Sequence, residues 1–247
     1  MTTISPPCLG DSLAEFWRAS SECRRFASEY RQLAAQPMGD GHPVLCIPGY
    51  GGADGCMLAL RYWLKRWHYR AEPWGLGRNM PAERITQLEQ MQEFQRSKVA
   101  ALALRIETLA RHSGEQVSLI GWSLGGLYAN ALAQHHPEHL RQVITLGTPF
   151  GDPRGTAAWA VLKRLNRSTT DDANHDIAGW THHNNGPRSI PTTVLYSPCD
   201  GIVSPEIACL NGDNIENIAV RSSHLGFAWN PTVHRAIAQI LARPRQR

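Results

Sequence analysis

The segment Gly121-Trp-Ser-Leu-Gly125 places a serine between two glycines, and Gly126 follows it. An apolar run ends just before this segment at Ile120, and a helix-forming run starts at Leu124. A serine on a sharp strand-to-helix turn exposes its hydroxyl, and glycines on either side leave room for the strained backbone. The pattern therefore predicts Ser123 as a nucleophile. The alternative, a serine that only caps a helix, requires no second or third glycine.

A serine nucleophile needs a general base and an acid that orients the base. After a G-x-S-x-G turn, the acid is expected beyond a late strand and the histidine beyond the last strand. Asp200 follows the apolar run that ends at Tyr196, and His224 follows the run that ends at Val220. We therefore expect Asp200 to be the acid and His224 the base.

Other acids and histidines fit these roles less well. Asp152 follows a predicted strand but precedes a long insertion, which makes it the reserve acid, and Asp213 precedes the last strand and so lies at the wrong end of the sheet. The competing histidines are expected to be mostly surface residues: His135, His136, His175, His182, His183 and His234. No cysteine or carboxylate cluster with ligand spacing accompanies His182-His183, so we predict neither a metal nor another cofactor.

Acyl transfer also needs hydrogen-bond donors for the oxyanion. One is expected to be the backbone N–H of Leu124, and the other the N–H of Tyr50 in the glycine-rich loop Pro48-Gly-Tyr-Gly-Gly52. Glycine-rich loops after strands also bind phosphates, but the dinucleotide fingerprint G-x-G-x-x-G is out of register over residues 49–55.

The elements that must position these residues alternate between short apolar runs and longer helical stretches, which indicates an α/β fold with a parallel sheet. We predict strands at 44–47, 117–120, 143–146, 193–196 and 217–220, and helices at 56–68, 81–112, 124–136 and 232–241. Residues 150–188, which include Trp159 and Trp180, do not fit one crossover helix and are predicted to form a lid insertion.

The first 40 residues are predicted to form a helical extension, and residues 41–247 the main domain. Apolar residues recur at near-helical spacing over 11–36, which predicts one amphipathic helix docked on that domain. A membrane-surface helix is the less favoured alternative because acidic residues are mixed with the basic ones.

Composition excludes several classes of protein. A net charge of +4 with scattered basic residues argues against nucleic-acid binding. The N-terminus lacks a signal-peptide pattern and no window resembles a membrane span, so we expect a cytoplasmic protein. Its six cysteines are expected to be reduced, with a Cys199–Cys209 bridge as the minority alternative for an exported protein.

Together these segments resemble the α/β-hydrolase superfamily, and within it bacterial triacylglycerol lipases and carboxylesterases. The resemblance spans about 44–242 and rests on five segments: Ile47-Pro-Gly-Tyr-Gly-Gly52, Gly121-Trp-Ser-Leu-Gly-Gly126, Leu146-Gly-Thr-Pro149, Asp200-Gly-Ile-Val203 and Ser223-His-Leu-Gly226. It implies the same triad and the same oxyanion donors. Two features depart from the family: Pro48-Gly49 replaces a common His-Gly, and the first two strands are missing, which leaves about six strands.

The resulting expectation is a serine hydrolase that cleaves small-molecule or lipid esters, with lipid-like or medium-chain acyl groups, through an acyl-enzyme. A lipid substrate would bring the protein into transient contact with a lipid interface. The same triad would also serve a thioesterase or an acyltransferase, and a catalytically silent binding protein is a third alternative. The sequence does not indicate the oligomeric state.

Overall fold

The computed structural model describes residues 5–83, 88–157 and 184–244. Within these ranges the strands are β1 (Pro43–Ile47), β2 (Arg70–Pro73), β3 (Val117–Trp122), β4 (Leu140–Leu146), β5 (Thr192–Tyr196) and β6 (Ile215–Ala219). They form one sheet in the order β2-β1-β3-β4-β5-β6, and every neighbouring pair is parallel. The predicted α/β class and the six-stranded sheet are thus confirmed.

The strand β2 has no counterpart among the segments predicted from the sequence. Its four residues, Arg70-Ala-Glu-Pro73, carry two charges and a proline, and its burial is partial. A strand at the edge of a sheet pairs on one side only, so it tolerates a proline and polar side chains that a central strand would exclude. The composition of β2 therefore does not resemble that of a buried strand, and the sequence pattern does not predict it.

The helices are α1 (Leu9–Ser28), α2 (Tyr30–Ala34), α3 (Leu58–Arg66), α4 (Leu88–Ser113), α5 (Leu124–His135), α6 (Pro205–Ala208) and α7 (Pro231–Leu241). Short 3-10 turns lie at Asp54–Met57, Pro137–His139, Pro153–Gly155 and Leu225–Ala228. The single helix predicted over 11–36 is divided at Glu29, whose ψ of 15° leaves the helical range. None of the described helices is long and apolar enough to cross a membrane.

Both faces of the sheet are covered, as a parallel sheet requires. Side chains alternate along β1: Val44 and Cys46 pack into a cluster with α2, α3 and α7, whereas Leu45 and Ile47 pack into a second cluster with α4 and α5. This alternation follows from the two-residue period of a strand. The strand β1 is thus buried on both faces, and because it is parallel to β3, the carboxyl ends of both strands lie on the same side of the sheet.

Helix α1 docks on this domain with an unexpected orientation. Its buried residues are Glu15, Ala19 and Glu22. Its large apolar side chains face outward, with exposed fractions of 85% for Leu9, 75% for Leu13, 73% for Phe16 and 80% for Trp17. The division of the chain at residue 40 stays a prediction, although Leu33 of α2 is fully buried in the same cluster as residues of α3 and α7.

Candidate active site

Ser123 lies directly after β3 and caps α5, as the sequence pattern predicts. Its backbone has φ 53° and ψ −120°, a conformation that residues with a Cβ rarely adopt. The N–H of Ser123 donates to the carbonyl of Leu146 over 2.8 Å, and its carbonyl accepts from the N–H of Gly126 over 2.9 Å. These bonds hold the serine at the carboxyl edge of the sheet in a strained turn.

The three glycines around Ser123 are required by close contacts, which involve backbone atoms at Gly121 and Gly125 and the Thr148 side chain at Gly126. A Cβ on Gly121 would lie 2.4 Å from the carbonyl oxygen of Gly125, and a Cβ on Gly125 would lie 2.5 Å from that of Ile47. A Cβ on Gly126 would lie 1.9 Å from Thr148 Oγ1. All three distances are shorter than any real carbon contact, so no larger residue fits without displacing the turn.

The structure brings Ser123, His224 and Asp200 together. The Nδ1–H of His224 donates to Asp200 Oδ2 over 2.8 Å, which leaves Nε2 as the acceptor facing Ser123 Oγ at 3.1 Å. His224 and Asp200 are only 5% and 4% exposed. This is the geometry in which an imidazole can take a proton from a serine hydroxyl.

Asp200 is itself held by the loop that carries it. Its Oδ1 accepts the backbone N–H groups of Ile202 and Val203, each over 2.8 Å. Oδ2 lies where a Cβ on Gly147 would approach to 3.0 Å, so this glycine leaves room for the carboxylate. Gly147 also has a φ of 53°, in the region that favours glycine.

The surroundings of His224 shift the pKa of its imidazole. Burial lowers the pKa of His224, but the charge of Asp200, the hydrogen bond to it and the charge of Glu15 outweigh this effect, and the pKa is raised above its ordinary value. The Trp122 indole N–H donates to the carbonyl of His224 over 3.1 Å. A rise in the pKa strengthens His224 as a base while the Trp122 contact orients its backbone.

The loop Pro48–Gly52 lies against the serine, because a Cβ on Gly49 would lie 3.1 Å from Ser123 Cβ. Among the described residues, the backbone N–H groups of Tyr50 and Leu124 have no hydrogen-bond acceptor. Two unpaired N–H groups on the segments that flank a serine are what an oxyanion site requires. Their assignment as oxyanion donors stays a prediction.

Asn79, which sequence reasoning missed, fastens this loop. Its side-chain amide donates to the carbonyl of Pro48 over 2.8 Å, and its own N–H and C=O pair with Gly52 and Gly51, each over 2.7 Å. Its Oδ1 accepts from the Tyr128 hydroxyl over 3.0 Å. Asn79 is fully buried, and no local pattern in the sequence marks it.

The alternative acids and histidines do not join the site. Asp152 accepts from the guanidinium of Arg154, and Asp213 is exposed before β6. His135 and His136 lie at the end of α5, and His234 is buried in α7 with its Nε2 3.0 Å from the carbonyl of Ala228. His175, His182, His183, Trp159 and Trp180 lie outside the described residues.

No cluster in the described part of the chain is suited to bind a metal ion, and all six cysteines, including Cys199 and Cys209, are free thiols.

A second serine–histidine–aspartate contact lies at the amino ends of the strands, on the side of the sheet opposite to Ser123. His42 Nε2 lies 2.7 Å from Ser118 Oγ, and His42 Nδ1 lies 2.5 Å from Asp40 Oδ1. Burial lowers the pKa of His42. Ser118 is fully buried within β3, so no substrate can reach its hydroxyl. This contact ties β1 to β3 and is structural.

Comparisons with known proteins identify the family. Residues 42–182 match the alpha/beta hydrolase fold family, so the chain belongs to that family. The chain is 27% identical over 180 residues to a pimeloyl-[acyl-carrier protein] methyl ester esterase of Citrobacter koseri, an alignment that covers 65% of this chain. It spans 66% of that relative's length, just under two thirds.

Solved structures share the fold. A monoacylglycerol lipase of Paleococcus ferrophilus is 18% identical with a TM-score of 0.56, and the match covers 81% of this chain and 95% of the lipase. A lipase of Bacillus licheniformis is 16% identical with a TM-score of 0.57, covering 84% of this chain and 94% of that one. At these identities the likeness is one of fold.

Proposed function

We propose that this protein is a carboxylic ester hydrolase that uses Ser123 as nucleophile, His224 as general base and Asp200 as orienting acid. The observation that carries the proposal is the continuous contact from Asp200 through His224 to Ser123, with the serine held at positive φ. Ser123 differs from the structural Ser118 because it is only partly buried, so its hydroxyl lies within reach of a substrate.

In the proposed reaction, Ser123 Oγ attacks the ester carbonyl while His224 Nε2 takes its proton. The carbonyl oxygen becomes an oxyanion that accepts from the N–H groups of Tyr50 and Leu124. His224 then returns the proton to the leaving alcohol as the bond from carbon to that alcohol breaks. Water then attacks the acyl carbon while His224 takes a proton from it, and His224 returns that proton to Ser123 Oγ as the bond from the acyl carbon to this oxygen breaks and the acid leaves.

For the substrate we propose esters of medium-chain or lipid-like acyl groups. The support is the family, together with the relative from Citrobacter koseri, whose name specifies the methyl ester of an acyl group attached to a carrier protein. The lid over residues 150–188, of which 158–183 lie outside the described residues, and a cytoplasmic location are parts of the same proposal. The free cysteines favour a reducing compartment.

The test is covalent labelling by a fluorophosphonate probe. We expect the wild-type protein and the control Ser118→Ala to be labelled, and Ser123→Ala to be unlabelled. Equal labelling of Ser123→Ala at the same peptide would contradict the assignment of the nucleophile.

Nitrophenyl esters of increasing acyl length, compared with methyl octanoate and with matched thioesters, define the substrate. Faster turnover of thioesters would indicate a thioesterase, and turnover only with an added alcohol an acyltransferase. Absence of both labelling and turnover would favour the non-catalytic alternative.

A further inference from the structure

The inward face of α1 carries carboxylates where a docked helix normally carries apolar side chains. Glu15, Ala19 and Glu22 lie at i, i+4 and i+7 and so share one face, and the two glutamates are only 2% and 7% exposed. Burying a carboxylate is costly unless hydrogen bonds replace the lost water. The partners of these two groups therefore indicate what the helix does.

Glu15 bridges two loops: the acid loop, residues 197–204, which carries Asp200, and the base loop, residues 220–226, which carries His224. Its Oε1 accepts the backbone N–H of Gly201, next to Asp200, over 2.7 Å, and the backbone N–H of His224 over 3.0 Å. Its Oε2 accepts the N–H of Leu225 over 3.3 Å. One carboxylate thus fixes the separation between the acid loop and the histidine.

Glu22 holds the base loop at a second point. It accepts the N–H of Ser223 over 2.8 Å and the Ser223 hydroxyl over 2.5 Å. The same hydroxyl oxygen accepts the N–H of Gly226 over 3.0 Å. Glu22 therefore braces the backbone on both sides of His224.

Other polar groups of α1 reach the acid loop. The Ser12 hydroxyl donates to the carbonyl of Gly201 over 2.7 Å, and the Arg18 guanidinium donates to the carbonyl of Cys199 over 3.0 Å. The helix thus accepts hydrogen bonds from both loops and donates to the loop that carries Asp200, all from residues 12–22.

We propose that Glu15 is a positioning residue for the proposed hydrolysis and that α1 belongs to the active site through it. The proposal rests on the proposed function. Glu15 does not touch the reacting atoms; it sets the backbone from which His224 projects and places a negative charge near the imidazolium that forms when His224 takes the serine proton.

The substitution Glu15→Gln tests the charge. It retains one oxygen for the Gly201 and His224 N–H groups but removes the charge that helps to raise the pKa of His224. We expect the pKa of His224, followed by NMR of its ring, to fall, and the acid limb of the kcat profile to move to lower pH. An unmoved titration in Glu15→Gln overturns the proposal.

The substitution Glu15→Ala tests position. It leaves three buried N–H groups without an acceptor, and small displacements of a catalytic group cost on the order of 100-fold, so we expect such a loss in kcat with little change in KM. A folded Glu15→Ala with kcat within about twofold of wild type would contradict positioning. If this variant does not fold, Glu15→Gln decides alone.

Two controls separate charge near His224 from docking of the helix. Glu29→Gln removes a carboxylate that binds Arg25 and Arg235 rather than either loop, so its pH profile and kcat are expected to match wild type. Glu22→Gln loosens the base loop at Ser223 but leaves the Glu15 charge in place, so its acid limb is expected to move less than that of Glu15→Gln.

The NMR titration needs no turnover, so the two proposals fail separately. Unlabelled Ser123 in the wild-type protein overturns the proposed function, whereas an unchanged His224 titration in Glu15→Gln overturns the positioning role.

Discussion

The strained backbone at Ser123 predicts that Ser123→Gly is more stable than Ser123→Ala, although both variants lose activity. A residue with a Cβ in such a conformation costs about 1–3 kcal/mol, and the φ of 53° with ψ −120° persists in any variant that retains the fold. Ser123→Ala keeps the Cβ and the strain, whereas Ser123→Gly removes both. Each variant loses the hydroxyl and its contact with His224, so their difference isolates the backbone.

The expected difference is the strain relieved less the cost of glycine in the unfolded chain. Relief of about 2 kcal/mol, reduced by the roughly 0.5–1 kcal/mol that glycine's extra freedom costs relative to alanine, leaves about 1 kcal/mol. We therefore expect the free energy of unfolding of Ser123→Gly to exceed that of Ser123→Ala by about 1 kcal/mol, which raises the Tm by about 2–4 °C for a domain of this size.

Urea unfolding followed by tryptophan fluorescence measures this difference, provided the two variants share one m-value. The matched control is Ser97, an exposed residue inside α4. There the glycine variant is expected to be less stable than the alanine variant by about 1 kcal/mol, because the helical backbone favours alanine. The same sign at both positions would refute the argument that the turn at Ser123 is strained.

Three further measurements test other parts of the structure. Burial lowers the pKa of His234 to about 4, so as pH falls below about 6.5 the unfolded chain binds a proton that the folded protein does not. Between pH 7.5 and 5 this difference lowers the free energy of unfolding of the wild type by about 2 kcal/mol. Urea titrations are expected to show this loss in the wild type and not in His234→Gln. Parallel losses in both proteins would contradict this. Asn79→Ala is expected to lower kcat on the order of 10- to 100-fold with KM nearly unchanged, since it frees the loop of residues 48–52 that carries the proposed oxyanion donor Tyr50; a normal kcat in steady-state assays would exclude that role. Ser118→Ala is expected to cost about 1–2 kcal/mol of stability and to leave ester hydrolysis intact, and loss of hydrolysis in a folded variant would refute a purely structural contact.

The sequence predicts the parts of the site that follow from local geometry. Ser123 is recognisable because its turn demands glycines at fixed offsets, and the chain order of a parallel sheet limits where Asp200 and His224 lie. The same reasoning gives the α/β class and four strands to within about two residues. Local rules suffice where the constraint itself is local.

The misses have a common physical cause. Glu15 and Glu22 lie at helical spacing on α1, but a carboxylate on an amphipathic helix is normally assigned to the solvent face. The backbone N–H groups that bind these two carboxylates and allow their burial lie about 200 residues away in sequence. Asn79 is similar, because its partners are backbone groups of a loop about 30 residues earlier. Neither the period of a helix nor the composition of a loop contains information about such partners.

The separation between Glu15 and His224 is 209 residues, and that between Glu22 and Ser223 is 201. Contacts of such long sequence separation are slow to form, because closing the loop costs entropy before any contact repays it. During synthesis α1 therefore emerges long before its partners exist, and its glutamates stay hydrated until the sheet is nearly complete. We expect docking of α1 to follow formation of the sheet, and release of α1 to expose the N–H groups that Glu15 binds. Slow hydrogen exchange at the N–H groups of Gly201, His224 and Leu225 would report that one event, with a shared opening free energy.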